Sequence, residues 1–150
     1  MHTRMRVRIL AMAATLACGG AIALGAQTAT TEGKGAQIDE TKLETRTRAV
    51  ACAGNQNVTL DGVLLSIPDA PIQAVGNCKV TIKNSHVKGA AALQLAGNSD
   101  VTIENSLIEG AVAIQLTDNA GVSIKSSTIR GRIEKVGNVK FRDLGDNKWK

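Results

Sequence analysis

The 150-residue sequence has no tyrosine, one phenylalanine and one tryptophan. Unpaired nucleic acid is held largely by stacking bases on aromatic rings, so the platforms for that work are missing, as is an aromatic floor for a sugar ring. Histidine is equally scarce: only His2 and His86. The three cysteines have no histidine pair nearby to complete a zinc site. No motif for a cofactor, a metal or a catalytic set is visible, and we expect none of the three.

A net charge of +5 and a pI near 9.4 would ordinarily suggest an anionic partner. Part of that excess is Arg4, Arg6 and Arg8, which precede an apolar run from Ile9 to Ala26. A basic start, an apolar middle and a small-residue end read as an export signal over 1–26, cut near Ala26. Leu16-Ala17-Cys18 offers an alternative, a lipoprotein anchored through Cys18. Loss of 1–26 removes three of the 18 basic residues and no acid, leaving 15 against 13. A nucleic-acid partner is therefore not expected, nor a membrane span after cleavage. The expected location is periplasmic or extracellular.

From Gln27 to Arg48 the chain is rich in Thr, Glu, Lys and Gly, with Ile38 and Leu43 as its only large apolar residues. Such composition buries too little to order itself. We read 27–48 as a polar spacer or an N-terminal cap, with Thr41 to Val50 docking over the end of the domain.

Beyond Cys52 the chain is repetitive. Gly54-Asn55, Gly76-Asn77, Gly97-Asn98, Asp118-Asn119 and Gly137-Asn138 recur at intervals of 22, 21, 21 and 19 residues. Four positions after each lie Val58, Val80, Val101, Val122 and Phe141. Two further on lie Leu60, Ile82, Ile103 and Ile124, with Thr59, Thr81, Thr102 and Ser123 between them. Apolar, polar, apolar is a strand with one buried face. Strands returning in the same direction every ~21 residues cannot be hairpins, and the connections are too short for crossover helices. The fold class is therefore all-β: a parallel β-helix of about four coils over 49–143, closed by a C-terminal cap or tail over 144–150.

Outward positions support that register. Asp61, Lys83, Glu104 and Lys125 alternate in sign, and so do Lys88, Glu109 and Arg130, as stacked charges must if neighbours are to attract. Gln73, Gln94, Gln115 and Glu134 form a further outward row. Glycine allows the positive φ of a tight corner, and Asn55, Asn77, Asn98, Asn119 and Asn138 can bond along the axis as an amide ladder. Cys52 and Cys78, an even pair in an exported chain, are expected to form a disulfide across one corner, with two separate buried thiols as the alternative. His86 shares a row with Leu64, Leu107 and Thr128 and reads as a corner residue rather than a general base.

The GN-x-x-V-T-I-x-N-S pattern and its asparagines, from Cys52 to about Asp143, resemble the right-handed parallel β-helix proteins, whose best known members include pectate lyases and polygalacturonases. They are also similar to small exported bacterial β-helix proteins of unknown role, in which cysteines placed like Cys52 and Cys78 recur. The resemblance to the enzymes implies clustered aspartates with an arginine, or three aspartates with a histidine, and neither constellation is present. Asp61 and Glu104 are the best stacked carboxylate pair, about two coils apart, with Lys83 between them.

The functional expectation is a non-catalytic exported module presenting a flat ladder face to a surface, a glycan or a cell-surface protein. That face comprises Thr59, Thr81, Thr102 and Ser123 with Asp61, Lys83, Glu104 and Lys125. The alternatives are a polysaccharide-acting lyase or hydrolase and, on the strength of the threonine row, an ice-binding surface.

Overall fold

The computed structural model describes residues 33–150. The export signal read over 1–26, its cut near Ala26, the Cys18 alternative and the start of the spacer lie outside these residues. The described chain begins with an extended segment and a single 3-10 turn, Glu40–Lys42. The first strands are β1 (Glu44–Arg46), β2 (Val50–Gly54), β3 (Asn57–Asp61), β4 (Val63–Ser66), β5 (Ile72–Gly76), β6 (Lys79–Lys83) and β7 (His86–Lys88). They continue as β8 (Ala91–Gly97), β9 (Asp100–Glu104), β10 (Leu107–Asp118), β11 (Gly121–Lys125), β12 (Thr128–Gly137), β13 (Lys140–Asp143) and β14 (Lys148–Trp149).

The pairings among these strands are parallel and join each strand to its equivalent one repeat later. One wall is the five-stranded sheet β3-β6-β9-β11-β13. A second is β2-β5-β8 continued by the latter halves of β10 and β12. The third is β1-β4-β7 continued by their first halves and closed by β14. The chain is thus a parallel β-solenoid of about five turns. The extra turn over the four read from the repeat is the last. It is assembled from the end of β12, β13 and β14, whose sequences depart from the repeat while their backbones still pair.

Inside, like residues stack on like. Leu60, Ile82, Ile103 and Ile124 form one column, Leu65, Val87, Ile108 and Ile129 a second, and Ile72, Leu93 and Ile114 a third, all buried. A single coil could not bury these side chains; its neighbours above and below do so. The disulfide Cys52–Cys78 joins the first corner to the second with Cα atoms 6.0 Å apart.

Two corners recur in each coil. At the first, Gly54, Gly76 and Gly97 have φ of 66°, 88° and 71°. A Cβ on Gly97 would stand 3.1 Å from the Gly76 nitrogen, closer than side chains normally approach backbone. Asp118 takes this place in the next coil with φ 61°, and its carboxylate accepts from the Gly97 N–H at 3.2 Å. Beside it the amide ladder runs from Asn119 to Asn98 to Asn77 to Asn55, with N···O distances of 3.3, 3.2 and 3.0 Å. Asn138, expected as a fifth rung, is not part of this bonded run. The interval before it is two residues shorter, a difference that β12 takes up by shifting register against β10 between Glu109 and Ile114, so that Asp118 and Gly137 are again paired.

The second corner occupies Gly62, Asn84, Asn105 and Ser126, again with positive φ. Asn105 donates to Asn84 and Asn84 to Asp61, both at 2.8 Å. Next to it runs a buried serine ladder. Ser85, Ser106 and Ser127 each donate to the carbonyl two residues back, at Lys83, Glu104 and Lys125. Each Oγ also accepts a backbone N–H from the preceding coil: Val63, Ser85 and Ser106 respectively. Asn147 takes the serine role below the last of them, accepting from the Ser127 N–H at 2.8 Å and donating to Ile124 O at 2.8 Å.

The described part of the segment read as spacer or cap runs lengthwise along the third wall. Gly35 N–H donates to Asp146 O and Thr128 Oγ1 donates to Ala36 O. Ten residues further on, β1 pairs with β4 at the opposite end of the stack. This strap covers the row Leu64, His86, Leu107 and Thr128, so three outward residues that a bare solenoid would expose are buried. A polar composition suffices because backbone bonds and the small Ala36 hold it in place.

Candidate functional site

The wall β3-β6-β9-β11-β13 carries the ladders expected from the sequence. Thr59, Thr81, Thr102 and Ser123 stack in register, extended by Arg142. Beside them Asp61, Lys83, Glu104 and Lys125 stack in register. Lys83 Nζ is 3.1 Å from Glu104. Asp61 instead accepts from Asn84, so Lys83 does not bridge both carboxylates. Gly121 interrupts the neighbouring column between Asp100 and Lys140, leaving a depression of about 310 Å³ beside Thr102, Ser123 and Arg142.

The second charge row lies on the third wall, beyond the strap. Glu109 is held by Lys88 at 3.2 Å and by Arg130 at 3.2 Å, linking three successive coils. Burial pushes the Glu109 carboxyl up, but hydrogen bonds and positive charge from Lys88 and Arg130 outweigh it and hold the group below the usual carboxylate range. This row walls a groove of about 670 Å³ that runs along the axis. Its floor is Gly89, Gly110 and Gly131, and Ser66, Ile67, Pro68 and Ala111 form the rest of the lining. The floor has to be glycine. A Cβ on Gly110 or Gly131 would collide with the carbonyl oxygen of the glycine one coil earlier, and Gly131 holds φ 127°. Gly89, Gly110 and Gly131 recur at 21-residue intervals in the sequence, but the groove they open belongs to the folded stack.

His86 opens β7 under the strap and is 4% exposed. Its Nδ1 lies 2.8 Å from Glu40 Oε1 on the strap, and its Nε2 is 3.9 Å from Glu109 without a hydrogen-bond partner. It fastens the strap. The Asn84-Asn105 and serine ladders were also carried by a repeated dipeptide, Asn-Ser, to which the sequence alone assigned no role.

The structure keeps the two charge rows on different walls and the asparagine ladder on a corner between walls, so the expected site residues do not converge on one point. Among the described residues no three His, Cys, Asp or Glu side chains are grouped as metal ligands. No described helix is long and apolar enough to cross a membrane. The chain belongs to the parallel β-solenoids by fold. No family model, curated protein or solved structure matches it, so the functional reading rests on geometry.

Proposed function

We propose that the protein is a non-catalytic, exported β-solenoid module that binds an extended partner, a glycan strand, along its axis. The observation that carries this reading is the groove walled by Lys88, Glu109 and Arg130 and floored by glycine. It extends over three coils, and its polar wall, Lys88, Glu109 and Arg130, stacks in register and repeats at the coil spacing. A long, regular ligand fits such a surface better than a compact one. The flat threonine face on the other wall offers a second, shallower contact of the same repeating kind. Export is supported by the disulfide, which persists in oxidising compartments.

The hydrolase or lyase reading gains nothing from Glu109. A general acid needs a carboxyl raised toward neutral pH, whereas Glu109 is lowered by its cation partners. The ice-binding reading loses support from the charges that flank the threonine row.

A panel of cell-wall and acidic polysaccharides, immobilised and probed with the purified chain, tests the proposal. Ala111→Trp, which fills the groove from an exposed position, should weaken binding at least tenfold, and Thr81→Trp on the other wall should weaken it less. Release of new reducing ends or unsaturated products would overturn the non-catalytic reading. Retention by no glycan, or equal retention of wild type and Ala111→Trp, would overturn the groove.

A further inference from the structure

The charge of the described chain is concentrated at one end. Residues 33–130 contain nine Lys and Arg against nine Asp and Glu, whereas residues 131–150 contain six against three. These six are Arg132, Lys135, Lys140, Arg142, Lys148 and Lys150, and they all belong to the last turn of the solenoid. The same turn holds three of the four large apolar residues that stand exposed: Val136 at 64%, Leu144 at 54% and Trp149 at 40%.

The end is built, not frayed. β13 pairs with β11 and β14 with β12. Phe141 packs against the core, the exposed Trp149 ring lies against it with centroids 5.8 Å apart, and Lys135 Nζ lies 3.9 Å from the Phe141 centroid. The outer edges of β13 and β14 have no neighbouring strand among the described residues. A solenoid end of this kind must be covered or used.

We propose that this end docks on a lipid bilayer carrying anionic headgroups. Juxtaposed cations are drawn to an anionic leaflet, and a tryptophan flanked by lysines, as Trp149 is by Lys148 and Lys150, suits the interface where a ring can be half immersed. A second copy of the chain fits less well. Three strands of about five residues, at ~3.3 Å per residue, enclose a cross-section of only about 120 Å². A specific protein interface buries roughly 800 Å² on each partner, and two such basic ends would repel. The inference is independent of the groove, which lies on a side wall.

Trp149 is the only tryptophan in the chain, so its fluorescence reports on this end and on no other segment. The full chain is titrated with vesicles of phosphatidylcholine, with or without phosphatidylglycerol, some bearing brominated acyl chains. With phosphatidylglycerol present, Trp149 emission should shift to the blue and be quenched by bromine. Binding should weaken roughly tenfold or more on phosphatidylcholine alone, in high salt, and in the exposed double variant Arg132→Glu/Lys150→Glu. The salt arm uses the unaltered chain and stands even if the variant folds poorly. Co-sedimentation with unchanged Trp149 emission would overturn the proposal, because some other segment would then be binding. Equal binding to neutral vesicles would overturn it too, as would a concentration-dependent blue shift without vesicles, which would mean a second copy covers the end.

Discussion

Ser106→Ala removes one oxygen from the middle of the serine ladder, and the structure specifies what is left behind. Ser106 Oγ donates to Glu104 O at 2.7 Å and accepts the Ser85 N–H at 3.1 Å. The Glu104 carbonyl keeps a partner in Asn84 N–H at 3.2 Å. The Ser85 N–H has no substitute, and Ser85 is fully buried. One orphaned buried donor costs about 1–3 kcal/mol, so we expect a loss of about 2 kcal/mol, or a fall in Tm of roughly 8 °C for a domain of this size. Ser99→Ala is the matched control. Ser99 is as buried as Ser106, but its Oγ has no hydrogen-bond partner, so the same substitution should be neutral or slightly stabilising. Thermal and urea unfolding followed by circular dichroism would measure both. Equal destabilisation by the two variants would refute the reasoning, since side-chain volume and burial, rather than the ladder, would then set the cost.

Ile103→Asp should abolish folding, because it buries an unpaired charge in the central coil at a cost of several kcal/mol. Thr102→Asp, on the outward side of the same strand, should retain a folded circular dichroism spectrum. Reduction of Cys52–Cys78, or Cys52→Ser with Cys78→Ser, should lower stability by about 3 kcal/mol for a sequence separation of 26, measured by urea unfolding with and without reductant. Glu109 gives a pH signature. Its folded pKa lies below the ordinary 4.5, so the stability from its pairing with Lys88 and Arg130 is present above that value and is lost as pH falls through the lower, folded one. The Tm advantage of wild type over Glu109→Gln should therefore be full at neutral pH and shrink in acid; an advantage that grew on acidification would contradict the sign.

The solenoid was legible in the amino-acid sequence. A 21-residue period with apolar residues at fixed offsets permits one way of burying them, and the columns from Leu60 to Ile124 and from Leu65 to Ile129 result from it. The sign alternation of Asp61, Lys83, Glu104 and Lys125 agreed with the register set by the Gly-Asn repeat, since like charges stacked at the spacing of neighbouring strands would repel. The disulfide was legible for the same reason: once Cys52 and Cys78 are placed on successive coils at one corner, few other partners can be reached. Other features were settled only when the coils stacked. The strap has no repeat, and what holds it is backbone bonding to Thr128, Asp146 and β4, whose availability depends on which outward row is left uncovered. Asn147 completes a serine ladder because it arrives at the right height in a turn that no longer obeys the pattern. The groove exists because Gly89, Gly110 and Gly131 stack on one another's carbonyls, a consequence of three-dimensional register. The basic end is concentrated because residues 131–150, with six Lys and Arg against three Asp and Glu, are gathered by the pairing of β13 and β14 into one turn. A periodic sequence encodes contacts between equivalent positions, and contacts between positions that are not equivalent have to be found in the folded molecule.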